Sequence, residues 1–244
     1  MIEIRELVKI YDSFRAVDGL SLKVDAGQIL GLVGPNGAGK TTTLRCLAGI
    51  IPPTAGDIII AGYDLKDHPV EARRRLAFVP DEPHLFDHLT AIDHLTLFSR
   101  LYGVSDGTAR SEELLVQAGL GDQRLSFPGE LSRGMKQKLV VACALLHHPE
   151  ALVLDEPLTG LDPAAMRRMK HTIRETASGG TAVIVSSHML HLVEEICDRV
   201  LIVGRGRVVL AGTLDEIRTQ IPDADADADL ETLFLKATGE GNVR

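Results

Sequence analysis

The segment Gly34-Pro35-Asn36-Gly37-Ala38-Gly39-Lys40-Thr41 constrains this chain more than any other stretch. It matches the phosphate-loop spacing G-x-x-x-x-G-K-[ST] at every fixed position, and its flanks suit that reading. Ile29-Leu30-Gly31-Leu32-Val33 before it has the composition of a short buried strand. Thr42 to Gly49 after it reads as the start of a helix that stops near a glycine. Glycines in such a turn adopt positive φ and point successive N–H groups at an anion. The helix N-terminus adds partial positive charge at the same place. Lys40 can then reach the β- and γ-phosphates of a nucleotide, and the Thr41 hydroxyl can hold Mg²⁺. Gly34, Pro35, Asn36, Gly37, Ala38, Gly39, Lys40, Thr41 and Thr42 are the candidate nucleotide-binding residues.

The rest of the 244-residue chain reads as strands alternating with helices. Residues 2–33 alternate apolar and polar and are β-rich, and Asp57–Gly62 and Leu76–Pro80 add two strands. From Leu85 to about His148 the period becomes helical. Ala151–Leu154 and Thr181–Val185 are continuous apolar runs, the pattern of parallel strands covered on both faces. Helical segments near 163–177 and 189–196 make this part βαβ, and Val200–Val203 and Arg207–Leu210 flank Gly204-Arg205-Gly206 like a hairpin. The acidic run Asp223–Asp229 reads as a solvated linker. The longest apolar stretch, Leu139–Leu146, is far short of the ~20 residues of a membrane span. Met1-Ile2-Glu3-Ile4-Arg5 lacks a secretory layout, and Cys46, Cys143 and Cys197 have no metal-ligand spacing, so a reducing cytoplasm with buried free thiols is expected. A net charge of −8 argues against nucleic acid as a partner.

A second motif tells what the phosphate loop serves. Leu152-Val153-Leu154-Asp155-Glu156-Pro157 is an apolar strand delivering two carboxylates at its end. Asp155 is placed to hold Mg²⁺ opposite Thr41. Glu156 is then free to polarise an attacking water as general base. A third motif is Glu130-Leu131-Ser132-Arg133-Gly134-Met135-Lys136-Gln137.

With these three motifs the chain resembles the nucleotide-binding subunit of ATP-binding cassette (ABC) transporters over residues 2–220. The family signature is L-S-G-G-Q, so Leu131, Ser132 and Gly134 match while Arg133 and Met135 depart. The resemblance implies an adenine-stacking role for Tyr11, a dimer-contacting loop at Thr159-Gly160-Leu161-Asp162, and a γ-phosphate-sensing role for His188 beside the catalytic Glu156. It implies an α/β fold: a P-loop NTPase core with a parallel sheet, an N-terminal antiparallel β subdomain and an inserted helical subdomain at about 83–150. On this reading residues 1–220 form the cassette and 221–244 an acidic linker with a short C-terminal helix. ATP and Mg²⁺ are the implied cofactors. The implied partners are a second cassette, identical or different, whose ATP would meet Ser132 and Gly134 in trans, and a separate transmembrane permease. The chain would then sit in the cytoplasm, peripheral on the inner face of the cell membrane.

Where the family places a glutamine after the strand Leu76–Pro80, this chain has Asp81. A carboxylate there could ligate the metal, or simply face solvent. Pro83-His84-Leu85-Phe86 and Leu89 form an apolar loop at the expected permease groove, and Asp229–Gly239 resembles the closing segment of exporter-type cassettes. A soluble cassette ATPase of translation or repair is the alternative. Translation-type members carry two cassettes and repair-type members long coiled coils, and neither feature is present. A nucleotide switch without turnover is opposed by the presence of Glu156 and His188.

Overall fold

The computed structural model describes residues 1–221, 225 and 228–238. Alternating side chains in β1 (Ile2–Tyr11) and β2 (Phe14–Val24) pair them as an antiparallel ribbon, to which β4 (Ala55–Ile60) and β5 (Tyr63–Asp64) add in the order β2-β1-β4-β5. The buried face carries Ile2, Ile4, Leu7, Leu20, Ile58 and Ile60, and it closes over Leu44 and Leu47 of α1 (Lys40–Leu47).

The second sheet has six strands in the order β10-β9-β3-β8-β7-β6. Its centre is β3 (Ile29–Val33), β8 (Ala182–Ser186) and β7 (Ala151–Asp155), each five residues long and buried throughout, as the continuous apolar runs require. They run parallel, with β6 (Leu76–Val79) beside β7 and β9 (Arg199–Gly204) beside β3. The hairpin partner β10 (Arg207–Gly212) is antiparallel to β9, which makes the sheet mixed at that edge. One face is covered by α1 and the antiparallel ribbon. The other is covered by α6 (Pro163–Ser178) and α7 (Leu190–Ile196) through Met169, Ile173, Leu192 and Ile196.

Between β6 and β7 the chain leaves the sheet as α3 (Ala91–Tyr102), α4 (Gly107–Gln117) and α5 (Arg133–Leu145), helices packed around Leu95, Leu115, Leu120 and Leu139. This is the expected helical insertion. The helix α5 belongs to both cores, because Leu139 and Cys143 face the insertion while Val141 and Ala144 face the sheet. At the C-terminal side α8 (Leu214–Gln220) and α9 (Leu230–Thr238) cover β9 and α7 with Ile217, Leu230, Leu233 and Phe234. Most of the acidic run lies outside the described residues. Its last member, Asp229, accepts the Thr232 N–H at 2.8 Å and so caps the first turn of α9. All three cysteines are free thiols; Cys46 and Cys143 are buried, whereas Cys197 is half-buried.

Candidate active site

The phosphate loop lies where the two sheets meet, and at Gly34 and Gly39 nothing larger fits. Gly39 has φ of 100°, and a Cβ on it would stand 2.5 Å from the Ala16 carbonyl oxygen. A Cβ on Gly34 would stand 2.4 Å from the Val203 carbonyl oxygen. The loop is thus stitched between β2 and β9. Two backbone bonds complete the seam, Gly206 N–H to Ala38 O at 3.0 Å and Asp18 N–H to Gly206 O at 2.8 Å. Arg207 Nε adds a charged tie to Asp18 at 2.6 Å. Asn36 and Gly37 at the loop tip and Thr41 at the start of α1 are exposed, while Thr42 is half-buried.

Lys40 folds back into this loop. Its Nζ donates to Gly34 O at 2.6 Å and to Pro35 O at 3.2 Å, and the side chain is buried. Burial lowers its pKa, and the carboxylates of Glu156 and Asp155 pull it partly back. Two sequence motifs more than a hundred residues apart therefore act on one ammonium.

The carboxylates reach that position because β7 ends there. Asp155 is opposite Ser186 in the β7–β8 register and is 2% exposed; its Oδ1 accepts from Ser186 Oγ at 2.5 Å. At the next residue the strand is turned aside, and Glu156 adopts φ of 50°, a left-handed conformation uncommon for a residue with a Cβ. Its N–H donates to Ser186 Oγ at 3.0 Å and to Ser186 O at 3.2 Å. The Glu156 side chain meets two groups the sequence had marked: Oε2 contacts His188 Nδ1 at 2.9 Å and accepts from Thr159 Oγ1 at 3.3 Å. Lys40, Asp155, Glu156 and His188 thus lie together at the end of β7. Ser186 was not singled out by the sequence. Its only signal is a hydroxyl closing an otherwise apolar strand.

Other candidates stand apart from this cluster. Tyr11, half-exposed at the end of β1, has the Lys9 ammonium 5.0 Å from its ring centre. Ser132 caps α5 by accepting the Met135 N–H at 3.2 Å, and Gly134 faces Leu161 and Gly160 of the loop after β7. Asp162 in that loop accepts the Ala165 N–H at 2.8 Å and caps α6; that bond holds its carboxyl below the ordinary range. Two of the three departures from the family pattern meet each other. Asp81 pairs with Arg133 at 3.5 Å, both half-exposed, and the Arg133 side chain also runs alongside Gly160. Among the described residues no group of three or more His, Cys, Asp or Glu side chains is arranged to hold a metal by itself.

A sequence profile of the ABC transporter family matches residues 17–159. The chain is 35% identical to the ABC-type transporter ATP-binding protein EcsA of Bacillus subtilis (strain 168), covering 98% of this chain and 97% of that protein. It is 36% identical to the daunorubicin/doxorubicin resistance ATP-binding protein DrrA of Streptomyces peucetius, covering 98% and 76%. A solved ATP-binding subunit of an ABC transporter superposes with a TM-score of 0.92 at 36% identity, covering 97% of this chain and 99% of that one. The chain belongs to the ABC transporter family, as one of its ATP-binding subunits.

Proposed function

We propose that this subunit binds ATP with Mg²⁺ at the Gly34–Thr42 loop and hydrolyses it as a head-to-tail pair with a second cassette. The pair would drive a separate membrane permease of exporter type. The observation that carries this reading is the convergence of the buried Lys40 ammonium, the Asp155–Glu156 pair and His188 on one loop.

Bound phosphate would take the Lys40 ammonium from the Gly34 and Pro35 carbonyls, exchanging neutral acceptors for charged ones. Thr41 and Asp155 suit Mg²⁺, which prefers hard oxygen donors, and the buried Asp155 carboxylate has a hydroxyl partner on Oδ1 only among its described hydrogen bonds. The ion, when bound, supplies charge neutralisation at the phosphates. Glu156 takes the proton of the attacking water on its carboxylate, and His188 and Thr159 hold that carboxylate in place. Tyr11 offers an aromatic face to the adenine. Ser132 and Gly134, at the exposed start of α5, would meet the nucleotide of the partner cassette, whether a second copy of this chain or a different one.

Permease contact is assigned to the loop after β6. Phe86 there is 57% exposed, with Leu85 and Leu89 half-buried behind it. No helix among the described residues is long and apolar enough to cross a membrane. The subunit would sit on the inner face of the cell membrane through that contact. Export is supported by the likeness to DrrA.

The test is Glu156→Gln. ATP binding should persist, turnover should fall by ~10²–10⁴-fold, and an ATP-trapped dimer should appear in sedimentation. Hydrolysis at the wild-type rate would remove Glu156 as base and the reading with it.

A further inference from the structure

Ser186 sets one hydroxyl between the Asp155 carboxylate and the backbone N–H of Glu156. It is fully buried at the end of β8, directly opposite Asp155 and two residues before His188. A backbone N–H can only donate, so at 3.0 Å from Glu156 N the Ser186 oxygen must accept. Its one proton is then left for Asp155 Oδ1, 2.5 Å away. The direction of both bonds is fixed by this arithmetic.

We infer that Ser186 is a positioning residue for hydrolysis: its hydroxyl locks the metal-binding carboxylate and the general base into one rigid unit. The bond to Oδ1 leaves Oδ2 of Asp155 as the oxygen to reach a cation. The bond from the Glu156 N–H holds that residue in its left-handed conformation, which turns the carboxylate out of the strand toward His188 and Thr159. Without the hydroxyl, Asp155 keeps its charge but loses its described donor, and Glu156 N–H keeps only the Ser186 carbonyl at 3.2 Å. The two carboxylates would then move independently. The His188 contact, which depends on where Glu156 points, would loosen too.

This inference rests on the roles given above to Asp155 and Glu156, so Asp155→Asn and Glu156→Gln are measured beside it. The variants are Ser186→Ala and Ser186→Cys, the second nearly isosteric and a weak donor. One readout is equilibrium binding of a fluorescent ATP analogue with and without Mg²⁺; the other is steady-state hydrolysis by the full chain. For Ser186→Ala the gain in affinity brought by Mg²⁺ should shrink by ~10-fold and kcat fall by ~10–100-fold, the usual effect of removing a group that orients a metal ligand. Affinity without Mg²⁺ should stay within about twofold of wild type, because the phosphate loop itself is untouched. Ser186→Cys should fall between the two, and it carries the test where Ser186→Ala does not fold. Equal losses with and without Mg²⁺ would show a merely structural residue and overturn the inference. So would wild-type behaviour of both variants while Asp155→Asn and Glu156→Gln are impaired. Wild-type hydrolysis by Glu156→Gln would instead overturn the functional reading beneath it.

Discussion

His94 should prove to be the strut of the permease-facing loop, and His94→Leu should release that loop without disturbing the nucleotide core. The imidazole is 1% exposed on the first turns of α3. Its Nε2 lies 2.9 Å from the Phe86 N–H, which can only donate, so Nε2 accepts. The proton therefore sits on Nδ1, which donates to Thr90 O at 2.8 Å. The ring also stacks on Phe86, with centroids 5.9 Å apart and planes inclined by 28°. Leucine removes both bonds, but unequally. Thr90 O keeps its helical partner, the His94 N–H at 3.0 Å, whereas the Phe86 N–H is left with none described. An orphaned, partly buried donor costs ~1–3 kcal/mol, which is roughly 5- to 150-fold in local opening. The assay is amide exchange read by mass spectrometry on the peptide containing Phe86. Protection there should fall by that factor, while β7 and β8 exchange as in wild type. His94→Gln, which offers an acceptor near the Nε2 position, should recover at least half of the protection. Unchanged exchange at Phe86 in His94→Leu would refute the reasoning.

Two further outcomes follow from groups described above. Lys40→Met should weaken ATP binding by ~10- to 150-fold, the range for losing charge-assisted bonds, in a chain that still melts cooperatively; unchanged affinity measured by calorimetry would contradict the phosphate-loop role. His147, stacked on Tyr102 with centroids 3.8 Å apart, is pushed by burial from 6.5 to about 4. The unfolded chain therefore takes up a proton that the folded chain refuses, so stability is present above pH 6.5 and is lost as pH falls toward 4, by at most about 3 kcal/mol. His147→Phe keeps the stack and should flatten that acid limb in urea titrations from pH 7 to 4; an unchanged limb would assign the loss to other groups.

The parts of this structure legible in the sequence are those with a local cause. Gly34–Lys40 announces itself because each glycine answers a backbone collision or a positive φ. β7 and β8 announce themselves because strands buried on both faces need unbroken apolar runs. The hairpin of β9 and β10 follows from Gly204-Arg205-Gly206, and α6 from its start at Asp162-Pro163. What escaped notice depends on distant partners or on little sequence. The six-residue helix α2 (Pro69–Arg74) and the seven-residue α8 are too short to show a period. His94 reads only as a polar residue on a helix until Phe86 is seen above it. Asp81 was read against a metal, and its partner, Arg133, became visible only when α5 was packed beside the loop after β6. The tail helix was legible as a segment, but not as a cover for Ile202 and Val200.

The place of β3 in its sheet has a consequence for how the protein is made. This strand emerges early, yet both its neighbours, β8 and β9, emerge last among the parallel strands, and the loop that follows β3 is closed by Val203 and Gly206. A ribosome adding 5–20 residues each second needs roughly 10–35 s to travel from the glycine-rich turn to the residues that complete it. Throughout that interval the nascent chain carries an apolar strand with no pairing edge on either side and no nucleotide cradle to steady it. Antiparallel β1 and β2 can pair at once, whereas the parallel centre must wait. The growing polypeptide therefore keeps this strand unpaired through most of synthesis, and nucleotide can stabilise the fold only near its end.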